Sequence, residues 1–129
     1  MRRIVGAMLG AAVALALTAC GGGGGGDGGN TATCSPAGTN LSVAAKGFQY
    51  DTDCLAAPAG KPFTIAFDNQ DAGTPHNVAI VDDQGNKLFT GEVFAGSKSE
   101  TYHVDALQPG TYEFHCDVHP TMKGSFVVR

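Results

Sequence analysis

Phe63-Thr64-Ile65-Ala66-Phe67 alternates large apolar side chains with smaller ones, so Phe63, Ile65 and Phe67 share a face. A period of two marks a strand with one side against a core. The pattern recurs along the chain. His76-Asn77-Val78-Ala79-Ile80 places His76, Val78 and Ile80 together. Residues 101–105 point Tyr102 and Val104 inward, and residues 111–116 set Tyr112, Phe114 and Cys116 against Thr111, Glu113 and His115. Residues 125–128 supply a last strand and residues 41–45 an early one. Pro, Gly and Asx residues punctuate these runs every eight to twelve residues, as at Gln108-Pro109-Gly110 and across residues 82–86. No segment sustains a helical period, although a short helical turn is expected near residues 93–96. The pattern predicts an all-β sandwich of seven to eight strands.

One consequence is chemical. His76 and Cys116 both fall on core-facing sides among large apolar residues. A buried imidazole without a partner costs a few kcal/mol, so His76 needs a hydrogen bond or a metal. His103 and His115 fall on outward faces and read as solvated surface histidines.

The N-terminal quarter has a different character. Arg2 and Arg3 precede an uncharged, mostly apolar run of fourteen residues, 4–17. That is shorter than the ~20 residues of a spanning helix and fits an export signal over residues 1–19. It ends in Leu17-Thr18-Ala19-Cys20, which resembles a bacterial lipobox. Lipidation of Cys20 would fix the mature chain to a membrane. An ordinary cleavable signal with a chance cysteine is the alternative. Residues 20–33, lipidated cysteine plus a glycine-dominated stretch, read as a flexible tether with a reach of roughly 20 Å. Residues 34–129 remain as one domain with one small core.

Charge narrows the function. The chain carries −4 overall, and loss of Arg2 and Arg3 with the signal leaves six Lys and Arg against twelve Asp and Glu. No basic stripe offers itself to a phosphate backbone, so nucleic acid is excluded as a partner. There is no G-x-x-x-x-G-K-[ST] motif, and the chain is too short for a dinucleotide-binding unit plus a substrate domain.

The four cysteines divide. Beyond Cys20, Cys34 and Cys54 lack metal-ligand spacing, and export places them in an oxidising compartment, so a Cys34–Cys54 disulfide is expected. Pairing of either with Cys116 is the competing arrangement, and the neighbours of Cys116 argue against it. Cys116-Asp117-Val118-His119-Pro120-Thr121-Met122 gives C-x2-H-x2-M between two predicted strands, with His76 forty residues upstream. A thiolate, two imidazoles and a thioether are the donors of a type 1 copper site, with His2Cys in the plane and Met as a long axial ligand. Methionine in fourth place points away from structural zinc, which is normally closed by Cys or His. Cys116 must bind as a thiolate, so metal uptake releases a proton.

Residues 110–128, from Gly110-Thr111-Tyr112-Glu113-Phe114-His115-Cys116 through Met122 to Val128, resemble the C-terminal copper loop of the cupredoxins. The short loop, with two residues between successive ligands, is similar to that of amicyanin rather than to the longer loops of plastocyanin, pseudoazurin or azurin. Pro75-His76-Asn77-Val78 resembles the family's upstream ligand motif, and residues 58–65 with Asn69 resemble the strand and turn before it. The resemblance covers about residues 41–129. It implies a Greek-key β-sandwich, with His76, Cys116 and His119 as equatorial ligands and Met122 as the axial one. It further implies that Asn77 fixes the ligand loops, with its N–H near the cysteine sulfur. His119 would be the exposed ligand, rimmed by Pro75, Pro120, Thr121 and Phe94.

Two functions from different classes follow. One is an extracytoplasmic, membrane-tethered blue copper protein, not an enzyme, passing single electrons between transient redox partners as a monomer. The other is a copper-binding lipoprotein that delivers the metal to an extracytoplasmic cuproenzyme. The complete His2CysMet set favours the first.

Overall fold

The computed structural model describes residue 34 and residues 38–129. Among these the chain forms eleven strands and no helix: β1 Asn40–Lys46, β2 Gln49–Tyr50, β3 Cys54–Ala57, β4 Phe63–Asn69, β5 Pro75–His76, β6 Ala79–Val81, β7 Lys87–Thr90, β8 Phe94–Ala95, β9 Lys98–Val104, β10 Gly110–His115 and β11 Lys123–Val128. Three of them, β2, β5 and β8, have only two residues. The eight longer ones make the sandwich that the alternation predicts.

One sheet runs β2-β1-β4-β9 and the other β3-β11-β10-β6-β7, while β5 and β8 form a small ribbon between them in sequence. β1 lies parallel to β4, and β3 parallel to β11, so the chain crosses between sheets instead of meandering. The alternation dictates the core. Phe63, Ile65 and Phe67 of β4 are buried while Ala66 is exposed, and Tyr102 and Val104 of β9 are buried around an exposed His103. Phe63 of the first sheet stacks on Phe126 of the second with ring centroids 5.4 Å apart. Phe67, Phe114 and Phe126 are fully buried, each contributing roughly 1.5–3 kcal/mol of hydrophobic stabilisation.

Three expectations are corrected. Residues 93–96 contain no helical turn: Phe94 and Ala95 are extended, and Phe94 pairs with His76. Residues 76–80 are not one alternating strand. β5 ends at His76, β6 starts at Ala79, and all five residues are buried. The segment is covered on both sides, so alternation carries no orientation there. Phe94 is buried in the core cluster against Phe67, not at the surface rim.

Cys34 and Cys54 form a disulfide with Cα atoms 5.3 Å apart. It joins residue 34 to β3, the edge strand of the second sheet. Arg129 Nη2 donates to the Cys34 carbonyl at 2.7 Å, holding the same segment from the C-terminus. Cys20, the export signal and the glycine tether lie outside the described residues.

Candidate metal centre

The loop from Cys116 to Met122 connects β10 to β11, whose last pair is His115–Lys123. Two backbone hydrogen bonds close it: Cys116 N–H to the Met122 carbonyl and Met122 N–H to the His119 carbonyl, both 2.9 Å. Hairpin pairing below and these bonds above hold Cys116 and His119 on one side of the loop. His76 arrives from β5, fixed by pairing with Phe94.

The three donor atoms converge. Cys116 Sγ lies 3.8 Å from His76 Nδ1 and 3.7 Å from His119 Nδ1, and the two Nδ1 atoms are 3.0 Å apart. Among the described residues these three form the one group of His, Cys or acidic side chains able to hold a metal ion. A trigonal site with metal–nitrogen bonds of about 2.0–2.1 Å and a metal–sulfur bond of about 2.3 Å has nitrogen–sulfur edges of about 3.8 Å. Both observed edges match it. The nitrogen–nitrogen edge is shorter and equals a hydrogen bond between the rings. His76 is fully buried and Cys116 is 1 % exposed, whereas His119 is half-buried. Met122 is 1 % exposed and belongs to the core at the base of the loop. Cys116 is a free thiol, so the competing disulfide does not form.

The surroundings set orientation. His76 Nε2 meets Asp71 Oδ2 at 2.9 Å. A carboxylate only accepts, so the ring carries its proton on Nε2 and leaves the Nδ1 lone pair facing Cys116. Asp71 also accepts from the backbone N–H of Gly47 at 2.7 Å and of Phe48 at 3.2 Å. The Gly47 bond first, then those from His76 and Phe48, hold its carboxyl below the usual range. Asn77 is fully buried, and its side chain bonds the Gly91 carbonyl and both the backbone and carboxylate of Asp117. Its own carbonyl accepts from the Tyr50 hydroxyl at 2.6 Å. Burial chiefly, with the nearby Cys116, raises the Tyr50 phenol far above its ordinary range. Partial burial pushes Asp117 up, but Lys87 and Asn77 outweigh it and leave the carboxyl low.

His115 is not free on the surface. Its side chain is half-buried between Glu113 at 3.4 Å and Asp117 at 3.3 Å. His103 lies on β9 in the other sheet, so the two histidines share no surface site. Pro75, Pro120 and Thr121 are exposed, as expected of a rim. Sequence reasoning missed Asp71 and Phe48. Asp71 precedes His76 by five residues inside a loop, and Phe48 lies in a turn, so neither leaves a motif signal.

The sequence matches the Cupredoxin-like domain family over residues 9–128, and the chain belongs to that family. It is 33 % identical to amicyanin of Paracoccus denitrificans over 82 residues, which cover 63 % of this chain and 59 % of that protein. The chain therefore spans less than two thirds of that relative's length. It is 32 % identical to plastocyanin A/B of Petroselinum crispum over 91 residues, covering 64 % of this chain and 90 % of the relative. Among solved structures, dithionite-reduced auracyanin of Roseiflexus castenholzii superposes with a TM-score of 0.63 at 25 % identity, covering 73 % of this chain and 99 % of that one. The cofactor of this family is a type 1 copper. One thiol and two imidazoles converging in one place, with the thiol and one imidazole buried, are the donor set that such an ion requires.

Proposed function

We propose that the protein is a one-electron carrier outside the cytoplasmic membrane, in which His76, Cys116 and His119 hold one copper ion and Met122 is the weak axial ligand. The observation that carries this reading is the Nδ1–Sγ–Nδ1 triangle, buried at two of its three corners. The bound ion supplies a single Cu(I)/Cu(II) couple. Cys116 gives up its proton to bind as a thiolate, and Asp71 keeps His76 in the ligating tautomer. Asn77 ties the two ligand segments together, so the donors change little between redox states and little free energy goes into rearrangement. His119, the partly exposed donor, is the port through which electrons pass. With Met122 as the fourth donor the centre would offer no open position to a substrate, and the protein would work as a carrier and not as an enzyme.

In this reading residues 1–19 direct export, Cys20 is lipidated, residues 20–33 tether the domain and residues 34–129 fold as the copper domain. Redox partners dock transiently on a monomer, as rapid turnover of encounters requires. Rapid-mixing kinetics with a chemical reductant and oxidant test the carrier role against copper delivery. A carrier cycles repeatedly while keeping its metal in the presence of a Cu(I) chelator. Slow cycling with prompt loss of copper to the chelator contradicts the proposal.

A further inference from the structure

Lys46 pairs with Gln49, so Gly47 and Phe48 are the two central residues of the β1–β2 hairpin. Both have positive φ, 62° and 61°. Two-residue hairpins favour such turns, but they place Asn, Asp or Gly there. A bulky aromatic in the left-handed region is strained and persists where its surroundings hold it. Core packing does not explain Phe48, whose residue is 54 % exposed. Its ring instead stands edge to face with His119, centroids 4.9 Å apart at 83°, and with His76, 5.8 Å apart at 85°. The turn is locked to the metal site by one carboxylate. Asp71 accepts from the Gly47 and Phe48 amides and meets His76 Nε2, so the group that orients one ligand also aims the ring at the other.

We propose that Phe48 is a positioning residue of the copper centre: its ring, aimed by Asp71, holds the His119 imidazole in the ligating position. This rests on the reading of His76, Cys116 and His119 as copper ligands. His119 is the one of the three with access to solvent, and so the one with room to turn away.

Phe48→Asn removes the ring but keeps a residue that tolerates the left-handed turn, while Phe48→Tyr keeps the ring. In the metal-free protein, NMR relaxation of the His119 ring is expected to show lower order in Phe48→Asn and wild-type order in Phe48→Tyr, with unchanged circular dichroism in both. Asp71→Ala is expected to speed amide exchange at Gly47 and Phe48 by about tenfold or more, the loss of a hydrogen bond to a charged group, and to loosen His119 likewise. Unchanged His119 order in Phe48→Asn overturns the positioning role. Failure of the wild type to form a type 1 centre would sink the copper reading, yet the metal-free relaxation would still decide whether Phe48 restrains His119.

Discussion

Asn77 and Asp117 grip each other twice: Asn77 Oδ1 accepts the Asp117 N–H at 2.9 Å, and Asn77 Nδ2 donates to Asp117 Oδ2 at 2.9 Å. Each residue directly follows a candidate metal donor, His76 in one case and Cys116 in the other. This pair of hydrogen bonds ties together ligand segments forty residues apart in the chain. The same Nδ2 also donates to the Gly91 carbonyl at 2.9 Å.

Asn77→Ala leaves the Asp117 N–H and the Gly91 carbonyl without their partner in a buried setting. We expect a loss of about 2–3 kcal/mol, which calorimetry of the metal-free domain should register as a melting point lower by roughly 10–20 °C. A drop of only a few degrees would show that the link is not a principal constraint on the site.

Much of this was legible in the chain itself. Phe63, Ile65, Phe67, Tyr102, Val104 and Phe114 all point where alternation places them, because each strand has one dry and one wet face. The candidate donors were legible because C-x2-H-x2-M packs a thiol, an imidazole and a thioether into seven residues. Where both faces are dry, as across residues 76–80, the period of two disappears and the break after His76 leaves no trace. Phe94 looked like a surface aromatic because burial of a two-residue strand depends on what folds over it. Asp71 acts through a contact made by the fold, across a loop that carries no pattern, and so was invisible.

The Cys34–Cys54 bridge closes 20 residues, and the chain-entropy model assigns it about 3 kcal/mol. Cys34→Ser/Cys54→Ser should lower the urea midpoint accordingly and leave the Cu(II) visible spectrum unchanged, since the bridge joins residue 34 to β3 and contributes no donor. A spectrum altered by the double substitution would mean that the bridge shapes the metal site.

Gly96 sits where backbone from two loops converges. A Cβ there would lie 2.6 Å from the carbonyl oxygens of Asn69 and Asp71. Gly96→Ala must move one of these segments, and overpacking of this kind costs about 1–3 kcal/mol. Because Asp71 moves with it, the Cu(II) absorption band should shift as well as the melting point. A variant with wild-type stability would contradict the close approach.

Acid should unfold the domain through its depressed carboxylates. Asp68 is held low by Ser99 and Gln70, Asp71 by Gly47, His76 and Phe48, and Asp82 by the side chain and backbone of Asn86. In the unfolded chain each takes up a proton near pH 3.9, and in the folded chain only at lower pH. Across that interval the unfolded state binds more protons, so stability falls as pH falls. Urea midpoints of the metal-free protein should be level above about pH 5 and decline from about pH 4 downward. Asp82→Asn should flatten part of that decline, and a midpoint unchanged down to pH 2 would contradict it.

The visible and EPR spectra of the protein loaded with one equivalent of Cu(II) bear most directly on the centre. A thiolate from Cys116 bound beside two imidazoles gives an intense blue colour and a narrow parallel hyperfine splitting, both lost in Cys116→Ser. A colourless protein, or a broad hyperfine splitting that survives Cys116→Ser, would show that the sulfur does not hold the copper.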